Sequence, residues 1–284
     1  MWRLNPPDFE DASGNLETAL TLANGTVVHP VKSNEKDRIL ELYTNYDIGL
    51  GNPDKALEGI DLDEPLRQAL YDAYSQIQKG GRLAIYRDRL KLIAEACPYC
   101  GFGAITDLDH HLPRSIYKVH SLYSKNLIPS CHPCNNLKRA KCGESASTQF
   151  SHVYFGPRPT EPFLSATIEI LAKGINVTYE INKTPTLDEA EHERLSFQFK
   201  TLELNTRYSP QINLFLGGLR TSIEDCARVS SGTLKAYLDR AYVNFCKDFG
   251  PNHWQTALLK ALAESDEFCD GGYKFCFGRR NPAI

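Results

Sequence analysis

The chain has 284 residues, 42% of them hydrophobic and 24% charged, with a net charge of −3. That composition excludes a disordered chain, and no apolar run reaches the roughly eighteen residues that a membrane span needs. The acidic balance excludes a protein whose whole surface is a basic footprint for nucleic acid.

Residues 1–30 read as an irregular lead with a short strand at Thr26, Val27 and Val28. Within it, MWRLNPPDFEDASG puts prolines and acids where a secretory signal needs an apolar core, so a cytoplasmic location without membrane association is expected. From Ser33 the pattern turns helical, with Ser33 as the cap and Glu35 and Asp37 in the first turn. Gly51, Asn52 and Pro53 break that helix. Leu66, Leu70, Ala73, Tyr74 and Ile77 then line one face of a helix over 63–78, and another over 80–96 runs into Cys97.

The aromatic and proline-rich segment 147–163 reads as a loop or linker. Alternation over 165–181 predicts a hairpin that turns at Lys173-Gly174. Helices follow over 188–208, 212–229, 231–249 and 253–265, and the residues from Cys269 read as irregular. The expected class is α+β and mostly helical, with a small metal-bound module between helical regions. Its expected divisions are 1–90, 91–145 and 146–284.

Of nine cysteines, four form two CxxC pairs, Cys97 with Cys100 and Cys131 with Cys134. In a reducing compartment that usage favours metal over disulfides. Each pair makes a knuckle that aims two sulfurs at one point, and two knuckles complete a tetrahedron around Zn²⁺. Such a site is coordinatively closed, hence structural. Gly101 and Gly103 permit the knuckle's backbone angles. Cys142, Cys226, Cys246, Cys269 and Cys276 read as small buried hydrophobes or indifferent thiols.

Between the pairs lie ITDLDHHLPRS and KNLIPSC, and CNNLK follows the second knuckle, a ββα pattern clamped at its base by zinc. From His110 to Gly143 there are six basic residues (Arg114, Lys118, Lys125, Lys138, Arg139, Lys141) and no acid. Such one-sidedness suggests more than a solvated face.

The combined pattern, Cys97-Pro98-Tyr99-Cys100, Asp109-His110-His111-Leu112-Pro113 and Asn126-Leu127-Ile128-Pro129-Ser130-Cys131-His132-Pro133-Cys134-Asn135-Asn136-Leu137-Lys138, resembles the HNH endonucleases. It departs from that family at His111, an aliphatic position there, and at Ile116-Tyr117-Lys118, where Gly-Gly is common. The resemblance implies a ββα-metal nuclease module in which His110 is the general base. Asp109 and Asn135 are then oxygen ligands of a catalytic Mg²⁺ or Mn²⁺, Asn126 orients the His110 ring, and Lys138 contacts phosphate. His111 is expected to face the other side of the strand, and His120 and His132 to be loop histidines.

The flanks, through FSHVYF, EPFLSATIEI and LELNTRY, resemble the narrower set of Septu-type HNH proteins of bacterial anti-phage systems, some of them retron-associated. That resemblance implies a DNA or RNA substrate and an ATPase partner, within a larger retron-type complex in some cases. One alternative is a zinc-stabilised nucleic-acid-binding or adaptor protein without catalysis. Another is a free-standing restriction or homing nuclease, which would need a basic DNA-reading domain that the sequence does not show.

Overall fold

The computed structural model describes residues 3–9, 11–156 and 161–277. The fold is mixed α+β and mostly helical, with two small antiparallel sheets. Among the described residues, 3–156 and 193–202 form one compact unit, and 161–192 with 203–277 a second.

The first unit contains α1 (Ala12–Leu20), α2 (Ser33–Ile48), α3 (Glu64–Ala73), α4 (Ala84–Lys91), β1 (Asp107–His110), β2 (Leu127–Ser130) and α5 (His132–Lys138). α1 stands where an irregular lead was expected. Its weak helix formers at Gly14 and Asn15 hide it in the sequence. Asp11 caps it by accepting from the Gly14 N–H at 2.9 Å, and Leu16, Ala19 and Leu20 are buried.

α2 begins at Ser33 as expected, but the capping residue is Lys32, whose N–H donates to the Glu35 carboxylate at 2.8 Å. α3 continues into a 3₁₀ turn, Tyr74–Ile77, which completes the helix expected over 63–78. α4 ends at Lys91 and does not run into Cys97.

β1 and β2 pair antiparallel, with Asp107 opposite Ser130 and His110 opposite Leu127. A two-stranded ribbon of this length is marginal by itself in water. α4 packs on both strands and α5 on β1. Leu42, Tyr46, Leu66, Leu70 and Leu90 share one core cluster with Leu108, Leu112, Val119, Leu122 and Leu127. The divisions 1–90 and 91–145 therefore belong to one unit, because the short sheet borrows its core from the preceding helices.

Segment 147–156, read as a loop or linker, is a loop packed within the first unit. Phe150, Val153 and Tyr154 are buried, and the Tyr154 hydroxyl donates to the Leu127 carbonyl at 3.0 Å. Residues 157–160 of that segment lie outside the described residues.

In the second unit β3 (Leu164–Leu171) and β4 (Gly174–Ile181) form the expected hairpin. Leu171 faces Gly174, so the turn is Ala172-Lys173, one residue earlier than the sequence suggested. Gly174, at φ +146°, follows it. α6 (Glu189–Thr201) contributes its residues from 193 onward to the first unit.

The single helix expected over 188–208 is broken at Glu203, which adopts the left-handed conformation at φ 52°. α7 (Leu204–Val229) then carries Pro210 in its second turn. α8 (Ser231–Phe249) and α9 (Trp254–Glu264) follow, with a turn at Phe268–Gly272 and a last short helix α10 (Tyr273–Cys276). The end of the stretch expected to be irregular, 278–284, lies outside the described residues. No helix among the described residues is long and apolar enough to cross a membrane.

Candidate metal centre and adjoining cleft

The two knuckles converge. The Sγ atoms of Cys97, Cys100, Cys131 and Cys134 lie within 4.8 Å of one another and all four residues are buried. Four sulfurs about 2.3 Å from a tetrahedral zinc ion sit about 3.8 Å apart. Cys100 and Cys131 are separated by 3.8 Å, so the cage has the size zinc requires. None of the nine cysteines is in a disulfide.

Gly101, at φ +83°, closes the first knuckle by donating its N–H to the Cys97 carbonyl at 2.8 Å. At Gly103 a β-carbon would lie 2.7 Å from the Cys131 sulfur, so only glycine fits against the cage. Crowding against the Cys100 sulfur pulls the Cys131 thiol far down and pushes that of Cys134 far up. The four thiolates can coexist only around a cation.

The cage anchors two rungs between β1 and α5. Two strand residues advance about 6.6 Å and three helix residues about 4.5 Å, so Asp107 and Asp109 can meet Asn135 and Lys138 in order. Asn135 Nδ2 donates to Asp107 Oδ2 at 2.9 Å, and His132 Nδ1 lies 2.9 Å from the same oxygen. Lys138 Nζ lies 3.0 Å from Asp109 Oδ2 and donates to the His110 carbonyl at 2.7 Å. Tyr99, inside the first knuckle, donates its hydroxyl to Asp109 at 2.8 Å.

These rungs correct two expectations. Asn135 is bonded to Asp107, not grouped with Asp109. Lys138 is 0% exposed, so it neutralises a buried carboxylate instead of facing phosphate. Burial pushes the Asp109 carboxyl up against the pull of Lys138. Burial also acts to raise Asp107, but hydrogen bonds from Asn135 and His132 outweigh it and leave that carboxyl lowered. Asp107 was missed because it shares strand parity with Asp109. His132, read as a bland loop residue, is the first residue of α5 and adjoins the same carboxylate.

His110 ends β1, half-buried, with its ring 4.4 Å from that of Tyr74. Its Nε2 lies 3.1 Å from the Ser121 carbonyl. A carbonyl only accepts, so Nε2 carries the proton and Nδ1 keeps a lone pair. Nδ1 is not among the buried, unpartnered atoms. Partial burial, with the nearby Arg114 and Lys138 charges, lowers the His110 pKa, so the ring is neutral near pH 7.

Asn126 does not touch that ring, contrary to expectation. Its Oδ1 accepts from Leu112 N–H at 2.7 Å and Tyr46 hydroxyl at 3.2 Å, while Nδ2 donates to the Leu112 and His120 carbonyls, each at 3.1 Å. Those four bonds use its full capacity. Asn126 thereby fastens the loop that carries Ser121, one step removed from His110.

Beside β1 opens a cleft of about 530 Å³, lined by Tyr71, Tyr74, Gln78, Arg87, Asp107, Arg114 and Asn135 among others. Three of the six cations in the basic run over 110–143 are paired with carboxylates. Lys118 pairs with Glu64, Lys125 with Asp47 and Lys138 with Asp109.

Three enclosed histidines of this unit are held neutral by burial: His152 is pulled down to about 3, His120 to about 4, and His111 also lies well below the usual range. The His111 ring lies 4.1 Å from that of His152, tilted by 50°, and His152 Nε2 is 2.9 Å from the Tyr46 hydroxyl. Below about pH 6.5 the unfolded chain binds protons that the folded one refuses, so stability present above that pH is lost as pH falls toward 4. Each such histidine contributes up to about 1.4 kcal/mol per pH unit. Thermal melts should therefore show Tm lowered by several degrees between about pH 6.5 and 5.5, with zinc content followed in parallel. An unchanged Tm would mean that these rings are not sealed as described.

No family model matches the chain, and no solved structure matches it. Among curated proteins it is similar to protein Ea31 of Escherichia phage lambda, with 24% identity over 203 residues, 66% of this chain and 67% of the phage protein.

Proposed function

We propose that the chain is a metal-dependent HNH-type endonuclease that hydrolyses phosphodiester bonds in nucleic acid. The observation that carries this reading is His110, neutral, with Nε2 committed to Ser121 and its ring against Tyr74, which lines a cleft that also holds a carboxylate, an amide and two arginines. In this reading Nδ1 takes the proton from the water that attacks phosphorus. Ser121 and the Asn126-fastened loop keep the ring in that orientation.

Asp107 and Asn135, which share the cleft, are the residues that would hold Mg²⁺ or Mn²⁺, ions suited to hard oxygen donors. When bound, the ion supplies charge neutralisation at the phosphate and the leaving oxygen. Asp109 could join it only if Lys138 moved away, since the ammonium already occupies the space beside that carboxylate.

The test is incubation with plasmid, single-stranded DNA and total RNA in Mg²⁺, with and without co-purified partners. Products should carry 5′ phosphates. A 2′,3′-cyclic phosphate on RNA would make the ribose hydroxyl the nucleophile and end this mechanism. Asp107→Asn should raise the Mg²⁺ requirement about tenfold or more with Tm little changed, whereas Asp109→Asn should chiefly lower Tm. If Asp109→Asn alone shifts the metal requirement, the assignment passes from Asp107 to Asp109.

An anti-phage role with an ATPase partner is part of the proposal. It is supported by the flank resemblance and by exposed apolar side chains on α7 and α8, Leu214, Val229, Val243 and Phe249. The closed Asp109–Lys138 pair favours the second reading, a zinc-stabilised module that binds without cutting. Wild-type protein that binds all three substrates and cleaves none would establish it.

A further inference from the structure

A nuclease site needs cations that face the substrate, and Lys138 is sealed. Arg139 and Lys141 are exposed but turned back on α5, where they donate to the Asn136 and Leu137 carbonyls. Of the basic run over 110–143, only Arg114 lines the cleft, and Arg87 of α4 lines it too. Among the described residues their partners are the Thr106 and Tyr71 carbonyls and the Tyr71 and Tyr74 rings.

Both guanidinium groups are held in place. Arg114 Cζ lies 4.4 Å from the Tyr71 ring and 4.8 Å from the Tyr74 ring, and Nη1 donates to the Tyr71 carbonyl at 3.4 Å. Arg87 Nη2 donates to the Thr106 carbonyl at 2.7 Å, one residue before Asp107. Each group keeps further N–H donors, because a guanidinium has five. A planar fork fixed by aromatic stacking loses little freedom when it meets a phosphate. Arg114 is also close enough to His110 for its charge to depress that ring's pKa.

We propose that Arg114 and Arg87 grip the backbone phosphates of the nucleic-acid substrate, with Arg114 the one beside the reacting phosphate. This rests on the reading of the cleft as a nuclease site and adds residues that the HNH resemblance did not supply. Two gripping cations instead of six also imply a shallow dependence of binding on salt, since each neutralised phosphate contributes roughly 0.7–0.9 to the slope of log K against log salt.

The experiment measures binding of the full chain to fluorescent single-stranded DNA, duplex DNA and RNA of one sequence. It is run by anisotropy without divalent cations over about 50 to 200 mM salt. Arg87→Ala and Arg114→Ala should each weaken binding about tenfold and lower the slope by just under one unit. Arg114→Lys should restore the slope but only part of the affinity. Lys118→Ala, which removes a cation already paired with Glu64, should change neither.

Wild-type affinity and slope in both Arg87→Ala and Arg114→Ala would overturn the proposal, as would wild-type protein that binds none of the three probes. If Arg114→Ala lowers Tm, Arg87→Ala alone decides. Loss of binding in these variants of a protein that never cuts in Mg²⁺ would retain the grip and reject the nuclease. Cutting with unchanged binding in both variants would do the reverse.

Discussion

Replacing Cys134 with serine should release the zinc and melt the first unit. A four-thiolate zinc site contributes roughly 10–16 kcal/mol to small domains, while whole proteins are stable by only about 5–15 kcal/mol. Nothing else in the module can make up that loss, because β1 and β2 are four residues each. The damage should spread to α2, α3 and α4, whose side chains share the core with the short sheet. Elemental analysis should find one zinc per wild-type chain and none in Cys134→Ser, with protease cleavage appearing between 97 and 142. A wild-type chain that carries no zinc and stays folded in a chelator would end the idea.

His110→Ala should abolish cleavage with zinc content intact and Tm nearly unchanged. A positioned general base contributes about 10²–10⁴-fold, and the half-buried ring gives up little more than its edge contact with Tyr74 and one bond to Ser121. His111→Ala should show the opposite pattern. That ring is buried against His152, so its loss opens a cavity and costs stability, leaving the base in place. The pair is read by single-turnover rates beside thermal melts. Normal cutting by His110→Ala with none by His111→Ala would move the base by one residue.

The cage was legible in the sequence because ligand spacing within a knuckle is a local matter. The strand that ends at His110 was legible for the same reason, through its alternation. Partner choice was not. Asp107 and Asp109 have the same parity and both face α5, so only the depth of each rung tells which carboxylate is open and which sealed. The charge run over 110–143 misled in a related way. Its counter-charges Glu64 and Asp47 lie more than fifty residues upstream, where no local pattern connects them. Asn126 was expected to hold the His110 ring, but its four bonds go to backbone and to Tyr46, contacts that exist only once the loop has closed.

The Asp109–Lys138 pair also bears on how this sequence can drift. Losing one partner strands a buried charge, at a cost of about 3–5 kcal/mol, whereas exchanging both for apolar residues of similar volume is often nearly neutral. The intermediate is the barrier, not the endpoint. Any lineage that abandons the pair must cross a valley of poorly folded single substitutions, so the two positions should persist together or vanish together. Tyr99 extends the same constraint into the first knuckle, since its hydroxyl is spent on Asp109.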